Sequence, residues 1–426
     1  MSQNALPDLI PLDEAQRRVL DGVVPLPAVE VALADADGLV IAAPVTSPLT
    51  VPSWANSAMD GFAVVAADVS GASAANPVTL RVLGEVPAGR APDASVAPGA
   101  ALRIMTGAMM PAGADTVVPV EDTDAAPGAS AIPEQVAIRA AWKAGDNVRA
   151  AGTDVREGTP LLPAGRACDP AAIALLAATG IAQVAVHRRP RVAVISTGDE
   201  LVPAGQPLGP AQIHDANSPS LAAQAAEAGA EVRRLGIARD TLPELLALVR
   251  EAVAWADVVV LSGGVSVGAH DHVKAAFEDV GTLSLWRVAI KPGRPFAFAR
   301  ALVDGRPVHL FGLPGNPVSV FVTFELFVRP VLRTLAGHPR AFDRPVRIAR
   351  LGEPMRGSSG RQNIHRVVLT SDPDRPDGVI ARSSGGQDSY MLASLAAANA
   401  LVFIPADADL PVGADVVAWE LRGRDA

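Results

Sequence analysis

Cysteine occurs once in this 426-residue chain, as Cys168, so neither a disulfide framework nor a thiolate metal cluster can be built, which fits a reducing compartment. Lysine is nearly as scarce. Only Lys143, Lys274 and Lys291 are present, and Arg supplies the rest of the 36 basic residues. A lysine that survives such a bias is a candidate for a position needing a compact ammonium rather than a planar guanidinium. Positive charge is in deficit overall, 36 basic against 45 acidic residues for a net charge of −9, so no general attraction to nucleic acid or an anionic membrane is expected. Any anionic ligand must be held by local groups. No apolar run is long enough to span a bilayer, and residues 1–20 show no charged segment followed by an apolar one, so a cytoplasmic protein is expected. No G-x-G-x-x-G follows a strand and no Gly-Lys-Ser/Thr occurs, which excludes the usual dinucleotide and Walker phosphate loops.

What is present describes a globular chain: 49% hydrophobic residues, 19% charged and 4% aromatic, so its cores are filled mainly by Ala, Val and Leu. The length suggests about three domains. Residues 8–50 read as an amphipathic helix from Leu12 to Val24 and then short strands broken by prolines. Together with 150–187, where Asp169-Pro170 opens a helix closed by Gly180, they are assigned to one discontinuous linker domain. Residues 51–149 read as a β-rich lobe. From 188 to 337 strands and helices alternate, with Asn217 or Ser218 and the capping box Thr241 to Glu244 as helix starts, and a long helix from Pro317 to about Leu335. This predicts a three-layer α/β domain with a mainly parallel sheet. Residues 338–426 carry short strands that should form a β-barrel or sandwich.

Ligands of a parallel sheet bind beyond the carboxyl ends of its strands, where helix N-termini and free N–H groups converge. Three such junctions carry chemistry: Thr197 to Glu200, Ser262-Gly263-Gly264 running through Ser266 to Asp271, and Pro314-Gly315-Asn316-Pro317. Their glycines allow backbone N–H groups to approach an anion. Any one of them alone is usually just a tight connection, and Asn316-Pro317 is equally a helix cap. Arg287 and Lys291 lie four apart, which on an extended strand faces them the same way as an oxyanion clamp. Asp199, Glu200 and Asp271 offer the hard oxygen ligands that Mg2+ prefers.

The motifs Asn56-Ser57-Ala58-Met59-Asp60-Gly61, Met105-Thr106-Gly107-Ala108, STGDEL, SGGVSVG with Asp271, KPGRP and GLPGNPVS, in this order, resemble the molybdopterin molybdotransferases, and the resemblance covers nearly the whole chain. It implies a four-part subunit: linker, β-rich lobe, molybdopterin-binding α/β domain and C-terminal barrel. It also implies Mg2+-dependent insertion of molybdate into adenylylated molybdopterin with release of AMP. An antiparallel homodimer is expected, its cleft shared between the α/β domain of one subunit and the lobe and linker of the other, as is transient contact with the adenylyltransferase that makes the substrate. By motif, Asp60, Thr106, Asp154, Glu200, Asp240, Asp271 and Lys291 are carried over as catalytic residues, with Asp271, Glu200 and Asp240 at the metal. Ser262, Gly263, Gly264, Ser266, Arg287, Pro314, Gly315, Asn316, Arg366 and Ser389 are carried over as substrate-binding residues. Arg294 stands where the family usually has Lys, and Ile364 replaces a frequent aromatic. A free-standing adenylyltransferase would need only the central part, and a non-catalytic scaffold need not keep Asp60, Asp271 and Lys291.

Overall fold

The computed structural model describes residues 9–128, 130–264, 270–375 and 378–421; of residues 270, 271, 285 and 286 it describes the backbone alone. Its centre is a seven-stranded sheet in the order Leu9–Ile10, Thr282–Val288, Pro295–Val303, Arg306–Leu313, Val258–Ser262, Arg191–Thr197, Glu231–Ala238. Pro295–Val303 runs against both of its neighbours, and every other pairing is parallel. The inner strands are continuous apolar runs because helices cover both faces. Asn217–Glu227 and the helical stretch from Pro317 to Leu335 share one core, and Leu242–Trp255 and His270–Val280 share the other.

That long helix forms where expected but is interrupted by a π-helical turn at Phe324–Val328. Pro330 has no N–H to offer the Leu326 carbonyl four residues back, and Gln16 Nε2 donates to that carbonyl at 3.2 Å. This bond shows that the expected first segment must be divided. Leu9–Ile10 is an edge strand of the central sheet, and the helix after it, Leu12–Leu20, stops short of Val24 and buries Ala15 and Val19 in the α/β core. The linker proper begins at Ala28–Ala32, which pairs with Gln183–His187 over a small core containing Ile41, Leu162 and Leu176. Its helix Pro170–Ala178 is capped as predicted, Asp169 accepting from Ala172 N at 2.7 Å. Two other predicted caps are not made. Thr241 precedes Leu242–Trp255 without a side-chain bond, and Asn217–Glu227 is capped by Asp215, not by Asn217 or Ser218.

The lobe is a five-stranded sheet with apolar clusters on both faces, ordered Gln135–Ile138, Val78–Val86, Ala100–Ile104, Gly61–Val64, Thr116–Pro119. At the other end, Gln362–Ser371, Val379–Ser383, Val346–Leu351, Asp415–Glu420 and Ala400–Ile404 close into a barrel, the last pairing back with the first. Closure removes the exposed edges that an open sandwich would leave. The barrel is tied to the α/β domain by Ile290–Lys291, which pairs in parallel with Gln362–Asn363.

Candidate functional site

Register determines where the chemistry collects. Ser196 pairs with Ser262, and Ser262 with Leu313, so the loops after these three strands leave the sheet side by side. Arg191–Thr197 connects through one helix layer to Glu231–Ala238 on one side, while Val258–Ser262 lies on the other, so the strand order reverses between them. A crevice at that position is the expected ligand site of an open α/β sheet. Here it is a cleft of about 870 Å³.

Its floor is backbone. Gly263 has φ +96°, and a Cβ there would stand 2.5 Å from the Thr197 carbonyl oxygen, so only glycine lets the two loops meet. Ser262 is buried, its hydroxyl 3.2 Å from that of Ser196. Ser196 in turn donates to Asp215 at 3.0 Å, and this buried carboxylate also accepts from the Asn217 and Ser218 amides, at 3.0 Å each, and from the Ser218 hydroxyl at 2.5 Å. Asn217 Nδ2 carries the network to the third loop, donating to Gly315 O at 2.8 Å. Asp215 therefore holds the strand ends and the helix start in one arrangement. Sequence reasoning passed it over in favour of its neighbours, although an Asp two residues before a helix is a capping signal. Asp215→Ala should cost on the order of 3 kcal/mol, since it strands several buried donors; a thermal unfolding midpoint within 1 °C or so of the parent would refute that weight.

Gly264, Pro314, Gly315 and Asn316 join Gly263 in the wall as expected. Asn316 stands at the N-cap ahead of Pro317 as expected, but its side chain makes no capping bond; its Nδ2 donates to Ser389 Oγ at 2.8 Å, and Val318 N donates to Ser389 O at 3.0 Å. The 387–390 loop thereby becomes the fourth side of the cleft. Tyr390, the only tyrosine in the chain, lies there 64% exposed beside Leu392. It was not anticipated, although the rarity argument applied to Lys would have singled it out. Acid comes from Glu200, Asp240 and Asp388, all in the wall; Thr197 Oγ1 donates to Asp240 at 2.8 Å. Lys291 and Arg294 bring positive charge, and Lys291 also lines an adjoining cavity of about 530 Å³ against the barrel.

Other expected residues lie elsewhere. The strand bearing Arg287 ends at Val288, and Lys291 already belongs to the barrel's sheet, so the two do not share one extended strand; Arg287 is half-buried and absent from the cleft wall. Arg366 is fully buried rather than facing ligand. It donates to Gly386 O at 2.7 Å and Asp388 O at 3.3 Å, bracing the loop that carries Ser389, and burial pulls its guanidinium below the usual arginine range. Ser266 lies outside the described residues, as does the side chain of Asp271, whose backbone opens the helix His270–Val280. Among the described residues no three His, Cys, Asp or Glu side chains gather as a metal site.

Asp60, Thr106 and Asp154 are not in the cleft wall, which draws on no described residue before Thr197. Asp60 lines a separate cavity of about 310 Å³ on the lobe. Its Oδ1 accepts from the Thr106 amide at 2.6 Å and hydroxyl at 2.8 Å, and the amide bond above all holds its carboxyl below the ordinary carboxylate value. Asp154 is exposed on the linker, its amide donating to Val51 O at 3.2 Å.

Three family models match the chain in succession: the MoeA N-terminal region (domains I and II) over residues 10–180, a probable molybdopterin binding domain over 193–334, and the MoeA C-terminal region (domain IV) over 348–421. Molybdopterin molybdenumtransferase 2 of Mycobacterium tuberculosis is 40% identical over 417 residues, covering 96% of this chain and 99% of its own. The molybdopterin molybdenumtransferase of a Nostoc species is 40% identical over 390 residues, covering 91% and 87% respectively. Among solved structures, a molybdopterin biosynthesis MoeA protein from Pyrococcus horikoshii is similar with a TM-score of 0.79 and 33% identity, covering 98% of this chain and all of that one.

Proposed function

Because the chain belongs to the MoeA family of molybdopterin molybdenumtransferases, we propose that it loads molybdate onto adenylylated molybdopterin, with cleavage of the phosphoanhydride and release of AMP. The observation that carries this reading is the convergence of the two Gly loops, the Pro314 to Pro317 turn and the Ser389 loop on one cleft at the strand-order reversal. The substrate is large, anionic and partly aromatic, and the cleft offers a matching face to each part. The Gly264 backbone in the wall suits the phosphates, while the Gly263 amide donates to Leu313 O at 3.2 Å and holds the loop beside the third strand. Tyr390 and Leu392 present apolar area for the pterin. Lys291 and Arg294 are the local cations that a chain of net charge −9 must supply for molybdate. Ser389, fixed by Asn316, adds a hydroxyl beside them.

Glu200 and Asp240, the two carboxylates of the wall beside the first Gly loop, suit Mg2+, which typically takes one or two protein carboxylates and completes its shell with phosphate oxygens and water. Glu200, Asp240 and Asp271 would hold it, and when bound it offsets phosphate charge at the scissile bond. Thr197, bonded to Asp240, orients that carboxylate. We further propose a homodimer in which Asp60 and Thr106, with Asp154, complete the cleft of a second copy.

Purified protein, adenylylated molybdopterin and molybdate should yield AMP and a cofactor that activates an apo-molybdoenzyme; AMP release without activation would overturn insertion. Asp240→Asn should raise the Mg2+ concentration for half-maximal AMP release by about tenfold or more. An unchanged Mg2+ titration would take Asp240 out of the metal site.

A further inference from the structure

A further cavity, of about 650 Å³, opens on the far side of the α/β domain where three parts of the chain meet. Asp37 and Gly165 come from the linker, Arg189 and Gly229 from the edge of the central domain, Arg329 and Arg333 from its last helix, and Arg340 from the connection to the barrel. Arg329 and Arg333 are four apart on the helix Arg329–Leu335, so they face the same way.

Arg329 is 3% exposed, yet neither Nε nor Nη1 makes a hydrogen bond. The nearest acid, Glu325, stands 3.8 Å from Nε and is engaged elsewhere, taking both ends of the Arg344 fork at 2.9 Å and an amide proton of Gln224 at 3.1 Å. Glu227 is taken by Arg344 at 2.6 Å, and Asp343 by Arg333 at 2.5 Å. Arg189 donates to two carbonyls, Asp37 O at 3.2 Å and Gly229 O at 3.5 Å. Burial first, then repulsion from Arg344, pull Arg329 down to about 10, which still leaves it cationic at neutral pH. A buried guanidinium with open donors at a cavity wall is costly unless something meets it.

We propose that this cavity binds a phosphate-type oxyanion, held by Arg329 with Arg189 and Arg340, and that its occupancy couples the linker, the α/β domain and the barrel connection. The ligand is either free phosphate or the phosphate of a nucleotide, both of which carry the same tetrahedral oxygens.

The test is hydrogen exchange and thermal unfolding of the full-length protein with inorganic phosphate, with AMP, and with chloride at matched ionic strength. Phosphate should slow exchange at residues 165–168 and 337–343 and raise Tm. Arg340→Gln, an exposed change, should weaken that response on the order of tenfold, and Arg329→Gln at least as much. Greater protection of these segments by AMP at equal concentration assigns the site to a nucleotide, equal or lesser protection to free phosphate. Protection confined to the 262–264 and 387–390 loops overturns the proposal. So does a response no larger than chloride's, or one that Arg340→Gln leaves unchanged, since ordered water alone would then serve Arg329.

Discussion

Mixing Asp60→Ala with Lys291→Ala, each expected to lower insertion by at least about a hundredfold, should restore activity to about one quarter of the parent value. The fraction follows from symmetry. In the proposed dimer, random exchange makes half the assemblies mixed, and in each mixed dimer one cleft would receive both mutations while the other receives neither. The motivation is geometric. Asp60 is exposed on the lobe, pinned by two bonds from Thr106 that lower its carboxyl below the ordinary value, whereas the described residues in the cleft of its own chain begin at Thr197. A carboxylate so oriented, with no partner chemistry in its own subunit's cleft, fits a role in a neighbour's. Hydrogen exchange or tagged co-purification must show that mixed dimers form. If they do and the mixture stays as inactive as its parents, the cleft is not shared.

How far sequence reading went depended on the range of the interaction involved. The helix Pro170–Ala178 was legible from Asp169, Pro170 and Gly180 because caps act within a few residues. The three Gly and Pro turns of the cleft were legible for the same reason. Closure of the barrel and the attachment of Leu9–Ile10 to the central sheet rest on pairings across more than two hundred residues in the latter case, which no local pattern encodes. Side-chain direction was the weakest link. Arg366 carries the same charge whether it faces molybdate or braces Gly386, and only its complete burial separates the two roles. Asp215 was hidden by a more conventional cap candidate next to it.

The clamp formed by Arg287 and Lys291 failed for a related reason, and its failure sharpens what Lys291 should do. Spacing of four places two residues on one face only while the strand continues, and here the chain leaves the central sheet after Val288 and enters the barrel's sheet at Ile290. Lys291 is thus separated from Arg287 and set where the cleft meets the barrel-side cavity, with Arg294 as its basic neighbour. An Arg-rich chain that retains lysine at this junction points to a need for a compact, strongly hydrated ammonium. Lys291→Arg should therefore be damaging although charge is kept, because the guanidinium is larger and binds through a fixed fork. The molybdate concentration for half-maximal insertion should rise about tenfold, the loss of one charge-assisted hydrogen bond, with binding of the pterin substrate little changed. Arg287→Lys, away from the cleft wall, should leave that titration unaltered. A Lys291→Arg protein that titrates with molybdate like the parent would show that scarcity of lysine, not its chemistry, explains the residue.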